Sequence, residues 1–195
     1  MLYWIARGIC RVALFVLRRW EVYGAENLPK DGPVVVASNH VSYWDPVAVG
    51  SALNRQVFFM AKWELFKIPI FGPIIRGVGA FPVKRKVKDR SAIHRAIQLL
   101  KSGQVVGIFP EGTRSHTKDL LPPHTGMVML ASKADALILP VAVKGTRGVV
   151  GKIKVYIGKP MDIKDFSERG KKMDREKYVE ISTIIMEEIK NLLKS

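Results

Sequence analysis

The sequence predicts a single α/β domain with a largely parallel central sheet flanked by helices. An N-terminal amphipathic helix suited to a membrane surface precedes it. Three observations carry this prediction. Short apolar runs rich in Val and Ile alternate with longer stretches of helical spacing, the pattern of parallel strands joined through helices. Of the 195 residues, 48% are hydrophobic, enough for one real core. No internal repeat and no linker divides the chain.

Residues 2–17, LYWIARGICRVALFVL, are apolar apart from Arg7 and Arg11. Those two stand at i and i+4, and Arg18 follows seven further on, so a helix gathers all three on one face. A spanning helix needs about 20 apolar residues, and charges in mid-span are costly. An interfacial helix accommodates them, with its apolar face in lipid, its arginines among headgroups, and Trp4 and Trp20 at the boundary. The alternative is an amphipathic helix packed on its own domain. No cleavage pattern follows the segment, so it does not read as a removed leader. Residues 1–20 are accordingly expected to form an interfacial segment and 21–195 the domain.

After the turn signal PKDGPV, VVVAS (34–38) reads as a buried strand. DPVAVGSAL (45–53) reads as a helix, with Asp45 at its N-cap and Pro46 at its first position. QVFFMA is a second strand. RSAIHRAIQLLKSG is a helix with a Gly stop, and QVVGIF a strand after it. GMVMLASKADA reads as a helix, ALILPVAVK and KIKVYIG as strands. From Asp174 onward, Tyr178, Ile181, Ile185, Ile189 and Leu192 recur at helical spacing. The stretch LFKIPIFGPIIRGVGAFPVKR is apolar but interrupted by Pro69, Gly72, Pro73, Gly77 and Gly79. It reads as a poor regular helix, either a connector over the core or the wall of an apolar groove.

Charge and cysteine usage narrow the function classes. With 32 Lys and Arg against 17 Asp and Glu, the formal net charge is +15. Such a surface attracts polyanions, whether nucleic acid, anionic membrane or phosphorylated metabolite. The single cysteine, Cys10, excludes an intrachain disulfide and a multi-cysteine zinc site. A reducing, cytoplasmic setting fits best.

Two strand ends carry candidate chemistry. NHVSYWD (39–45) follows the first buried strand. On a straight helix His40 and Asp45 would point about 140° apart, so they meet only if the chain turns between them. The helix start at Asp45–Pro46 supplies that turn. Asp45 could then accept the Nδ1–H of His40 and leave Nε2 as an outward acceptor, a base with its orienting partner. A surface histidine beside a simple helix cap is the plainer alternative. IFPEGTRS (108–115) follows another buried strand. Gly112 permits close backbone approach. Thr113 and Arg114 offer donors suited to a phosphate. Glu111 supplies an acceptor for a substrate hydroxyl or for an arginine. Ligands of open α/β sheets sit outside the carboxyl ends of the strands, where Lys84 and Arg85 also fall, after GAFPV.

Other machinery is missing. There is no G-x-S-x-G elbow and no Walker A loop, and no histidine pair has the i, i+4 spacing of a helical zinc site. A His–Asp pair without a marked nucleophile points to activation of a substrate's own hydroxyl.

These segments together resemble the glycerolipid acyltransferases. NHVSYWD is similar to that family's His-x-x-x-x-Asp block, GAFPVKR to its second block, FPEGTRS to its third and LILPVAV to its fourth. AKWELFKIPIFG resembles the lysine-bearing segment between the first two. The blocks fall in order across residues 34–143. Where the family has Phe-Lys-x-Gly after the third block, PPHTG keeps only Gly126. The likeness is greatest to the bacterial branch acting on 1-acyl-sn-glycerol 3-phosphate, that is, lysophosphatidic acid. It implies acyl transfer from acyl-CoA or acyl-carrier protein to that lysolipid's sn-2 hydroxyl, giving phosphatidic acid in phospholipid synthesis. His40 would be the base and Asp45 its partner. Lys62, Arg85 and Arg114 would hold the acceptor phosphate, with Glu111, Gly112 and Thr113 shaping the site. No metal or cofactor is expected. The expected partners are the two substrates and an anionic membrane surface, bound peripherally on its cytoplasmic face. Another lysophospholipid or glycerol 3-phosphate is the alternative acceptor. A thioesterase and a nucleic-acid-binding protein are the rival classes, the latter without a visible recognition motif.

Overall fold

The computed structural model describes the chain except for residues 1, 85, 86, 88, 118, 149 and 167–172. Among the described residues the elements run α1 (Leu2–Arg18), β1 (Glu21–Tyr23), β2 (Val34–Ser38), α2 (Asp45–Ala52), β3 (Val57–Lys62), α3 (Phe71–Gly77), β4 (Phe81–Val83), α4 (Arg90–Lys101), β5 (Val105–Ile108), α5 (Gly126–Ala134), β6 (Leu137–Lys144), β7 (Lys154–Ile157) and α6 (Arg175–Leu192). The seven strands form one sheet in the order β1-β7-β6-β2-β5-β3-β4. Every pairing is parallel except that of β6 with β7. The α/β class and the largely parallel sheet read from the sequence are what the chain forms.

β2 sits at the centre, between β5 and β6, and all five of its residues are buried. A strand covered on both faces has no polar side to present, which is why VVVAS shows no alternation. One face packs Val35, Ala37, Val106 and Ile138 against α4, α5 and α6. The other packs Val34, Val36, Val57 and Val105 against Leu14 of α1 and Val49 and Leu53 around α2.

One reading needs correction. The interrupted stretch does contain a helix, the seven-residue α3. Pro73 lies in its first turn, where a proline removes no intrahelical hydrogen bond. Two of the three arginines of the α1 stripe bond to the domain itself. Arg18 is 1% exposed. Its guanidinium donates to three loop carbonyls, Gly145 O at 2.6 Å, Gly151 O at 3.0 Å and Gly148 O at 3.1 Å. Arg7 turns to the domain as well, donating to Asn54 Oδ1 at 3.0 Å. Arg11 stays exposed, over the ring of Trp20. Tyr3 and Leu14 are buried beside this stripe. The Tyr3 hydroxyl accepts the Val57 N–H and donates to Gly50 O, each at 3.2 Å.

What α1 leaves outward is therefore its apolar side. Ile5, Ile9, Val12, Phe15 and Val16 are all exposed, Phe15 at 71%. Ile68, Ile70, Phe71 and Ile74, in and before α3, are exposed too. The two segments adjoin: a Cβ on Gly77 would come within 2.5 Å of Leu2 Cδ2. No helix among the described residues is long and apolar enough to cross a membrane.

Candidate active site

β2 delivers its chain to the carboxyl end of the sheet, and Asn39 holds it there. The Asn39 amide mimics one more residue of ladder. Its Oδ1 accepts the Val143 N–H at 2.8 Å and its Nδ2 donates to Val143 O at 3.0 Å. A buried amide satisfied at both ends costs little and fixes the backbone next to it.

His40 follows, 8% exposed. Its main chain is gripped on both sides by the segment after β5. The His40 N–H donates to Glu111 Oε1 at 2.7 Å, and His40 O accepts the Ser115 N–H at 2.8 Å. Its ring Nδ1 lies 2.9 Å from Asp45 Oδ2. Because a carboxylate only accepts, this contact assigns the proton to Nδ1 and leaves the Nε2 lone pair as an acceptor.

The turn that joins the pair is the one the sequence required, but Asp45 serves it differently from expectation. Trp44 precedes α2, and Asp45 is its first helical residue. The carboxylate does not cap the helix. It reaches back over the turn, where Oδ2 also accepts the N–H groups of Val41 at 2.6 Å and Ser42 at 2.7 Å. The residue is wholly buried. Asp45 thus holds both the imidazole and the loop between them.

Beyond β5 the chain turns sharply. Gly112 has φ +68°, and its N–H donates to Phe109 O at 3.0 Å. A Cβ there would meet the ring of His124 at 2.8 Å, so both backbone angle and space favour glycine. Glu111 is buried, and both of its oxygens are engaged by main-chain amides, Oε1 by His40 and Oε2 by the Leu121 N–H at 2.9 Å. Burial pushes its carboxyl pKa up, and the two amide donors oppose that rise. This geometry gives Glu111 a structural role that its place in the sequence did not show. It braces the backbone of His40 against the segment that follows.

Gly112 and Thr113 are exposed at the tip. Arg114 is half-buried and sits over Tyr43, its Cζ 3.7 Å from the ring centroid, with Nη2 donating to the Tyr43 hydroxyl at 3.0 Å. The guanidinium is thereby tied to the loop between His40 and Asp45. Tyr43 was not singled out from sequence, although it stands inside the first block. Asn39 and Ser115 were missed likewise.

Lys62 ends β3, two strands from β2 on the same side of the sheet. It is exposed and pairs with Glu64 at 3.1 Å. Lys84 follows β4, its N–H donating to Asp89 Oδ2 at 2.8 Å. Arg85 lies outside the described residues. The structure therefore brings His40, Asp45, Glu111 and Arg114 together and places Lys62 on the same rim. Among the described residues no three of His, Cys, Asp and Glu gather as a metal cluster.

Comparison with known proteins identifies the family. The family model described as Acyltransferase matches residues 19–144. The chain is 38% identical over 153 residues to a 1-acyl-sn-glycerol-3-phosphate acyltransferase of Bacillus subtilis, covering 75% of this chain and 76% of that protein. It is 33% identical over 206 residues to the protein of the same name from Streptococcus pneumoniae, covering 98% and 73%. The crystal structure of the 1-acyl-sn-glycerophosphate (LPA) acyltransferase PlsC from Thermotoga maritima superposes with a TM-score of 0.77 at 30% identity, covering 99% of this chain and 80% of that one. By these matches the chain belongs to the acyltransferase family.

Proposed function

We propose that this acyltransferase moves a fatty acyl group from an acyl thioester, acyl-CoA or acyl-carrier protein, to the sn-2 hydroxyl of 1-acyl-sn-glycerol 3-phosphate. The product is phosphatidic acid, a precursor for phospholipids. The observation that carries the reading is His40, clamped through its main chain and through Nδ1, with Nε2 left as the acceptor. Nε2 removes the acceptor's hydroxyl proton as the oxygen attacks the thioester carbonyl carbon. The tetrahedral intermediate collapses with loss of the thiolate, which takes the proton back from the imidazolium. One ester forms and one thioester breaks. A backbone N–H or a nearby cation steadies the oxyanion. A thiolate leaves readily, so no second acid is needed.

Arg114, Lys62 and Arg85 are assigned to the acceptor phosphate, and Gly112 and Thr113 to the wall beside it. Arg114 uses one donor on Tyr43, and a guanidinium has five. The names of the relatives favour a phosphorylated lysolipid as acceptor. The enzyme is placed on the cytoplasmic face of an anionic membrane. Support comes from the exposed apolar side of α1, the neighbouring Ile70 and Phe71, and the +15 charge.

The test is purified protein with labelled acyl donors and a panel of lysolipids, read by product analysis. Acylation of lysophosphatidic acid well above neutral monoacylglycerol is the expected result. Arg114→Ala should raise KM for the phosphorylated acceptor about 10- to 100-fold, the worth of one charge-assisted hydrogen bond. Equal efficiency on phosphorylated and neutral acceptors would remove the phosphate assignment. Free fatty acid released equally with and without lysolipid would make the protein a thioesterase.

A further inference from the structure

A hydrogen bond to Asp45 fixes one edge of the His40 ring but not the plane in which it lies. An imidazole held at Nδ1 alone can still rock about that contact and swing Nε2 off line. The structure closes this freedom from the side. The ring of Phe109 lies against the His40 face, with centroids 4.0 Å apart and planes 18° from parallel. Behind it stands Phe59, 5.8 Å from Phe109 and 13° from parallel. The three rings form one offset stack from β3 to the end of β2.

The backbone is built to make room for it. Phe59 of β3 and Gly107 of β5 are register partners. The Phe59 ring folds over the neighbouring strand at the one position without a side chain. A Cβ on Gly107 would lie 2.5 Å from Phe59 Cδ1 and closer still to Cε1. At the opposite edge a Cβ on Gly50 would be 3.5 Å from Phe59 Cε2. Glycine inside a strand weakens it and marks a close approach. Here what approaches is the ring that backs the stack. Phe109 is fixed in turn by its own carbonyl, which accepts the Gly112 N–H.

We infer that Phe109 is a positioning residue for acyl transfer, and that Gly107 and Phe59 hold it against His40 so that the imidazole plane, and with it Nε2, is aimed. The inference rests on His40 being the base. A flat aromatic face over the imidazole has two consequences. It excludes water from that side of the ring, and it presents a π surface to the imidazolium that forms when Nε2 takes the proton. A branched aliphatic side chain could fill the same space and keep water out, but it has no π surface and no flat face to hold the imidazole plane.

The experiment compares Phe109→Leu, Phe109→Tyr, Phe59→Leu and His40→Ala with wild type. It reads kcat and KM for both substrates, thermal melting, and the His40 imidazole C–H proton resonances by NMR. Phe109→Leu should lower kcat about 10- to 100-fold, the scale of a misaligned catalytic group, with both KM values within about twofold of wild type. Phe109→Tyr should restore most of the rate. Phe59→Leu should act in the same direction but less. The His40 ring protons should move downfield when the stacked ring is lost in Phe109→Leu and stay in place in Phe109→Tyr. A Phe109→Leu protein with wild-type kcat, or with unmoved His40 resonances, overturns the inference even if His40→Ala is inactive. An active His40→Ala would instead bring down the general-base reading itself.

Discussion

The strand ends around His40 and the outward side of α1 are opposite kinds of surface, although both belong to one small domain. At the strand ends, His40 is held through its N–H, its carbonyl, and its ring edge. Asp45 is buried and accepts from His40, Val41 and Ser42, and Glu111 is buried and accepts from His40 and Leu121. On α1, Ile9, Val12, Phe15 and Val16 project from a helix whose Arg7 and Arg18 bond to the domain. The first region is over-determined by internal hydrogen bonds. The second has apolar area that none of the described residues covers. Hydrogen bonds converge where the fold leaves His40 no freedom, and apolar area stays exposed where the described residues make no contact with it.

The largest effect that can break this contrast is at the base. His40→Ala should remove turnover while melting stays near wild type. Asp45→Asn should lower kcat about 10²- to 10⁴-fold, because an amide can present its NH₂ to Nδ1 and favour the wrong tautomer. Retention of more than about a tenth of wild-type kcat by His40→Ala would show that the clamped histidine is there for architecture. Next comes Arg18, which belongs to the inward side of α1. Arg18→Met strands three glycine carbonyls and should destabilise the protein by about 3 kcal/mol, read by denaturant unfolding. An unchanged midpoint would mean that the helix is not anchored through this contact.

The outward side sharpens the comparison from the other direction. Phe15→Glu should leave melting almost untouched, since the side chain is exposed. It should weaken flotation with anionic liposomes by about 2 kcal/mol, the worth of one large apolar side chain in lipid. If binding is unchanged, the docking surface lies around Ile70 and Phe71 instead. The smallest effect is a slope in pH. Burial holds the Glu111 pKa above its unfolded value, so the folded state binds that proton more tightly. Its contribution to stability is fully present below the unfolded pKa and is lost as pH rises through the raised one. The stability of wild type relative to Glu111→Gln should therefore shrink as pH climbs out of the ordinary glutamate range. A gap that widens with pH would place the carboxylate in a charge-stabilised site.

Much of this was legible in the residues. The apolar run VVVAS marked a buried strand, and the need for a turn between His40 and Asp45 was stated by their spacing. What sequence left open depended on distant partners. Periodicity gathered Arg7, Arg11 and Arg18 on one face, but it does not say what that face meets. The carbonyls that take Arg18 come from a loop some 130 residues away. Glu111 looked like a substrate ligand because its two amide partners, His40 and Leu121, belong to other segments. Tyr43 and Asn39 stood inside a recognised block, yet nothing in a one-dimensional pattern marks a ring as the seat for Arg114 or an amide as an extra rung of β6. The α3 helix was hidden by Pro73, whose place in the first turn makes it harmless.

The central claim is that His40 carries its proton on Nδ1, against Asp45, and offers Nε2 as the base. Long-range proton–nitrogen NMR on protein labelled with ¹⁵N-histidine measures this directly, at a pH where the imidazole is neutral and with His40→Ala identifying the resonance. The account predicts a protonated Nδ1 and a bare, pyridine-like Nε2, with Asp45→Asn disturbing that pattern. A neutral His40 protonated on Nε2 would contradict it, because the nitrogen meant to take the hydroxyl proton would already hold one.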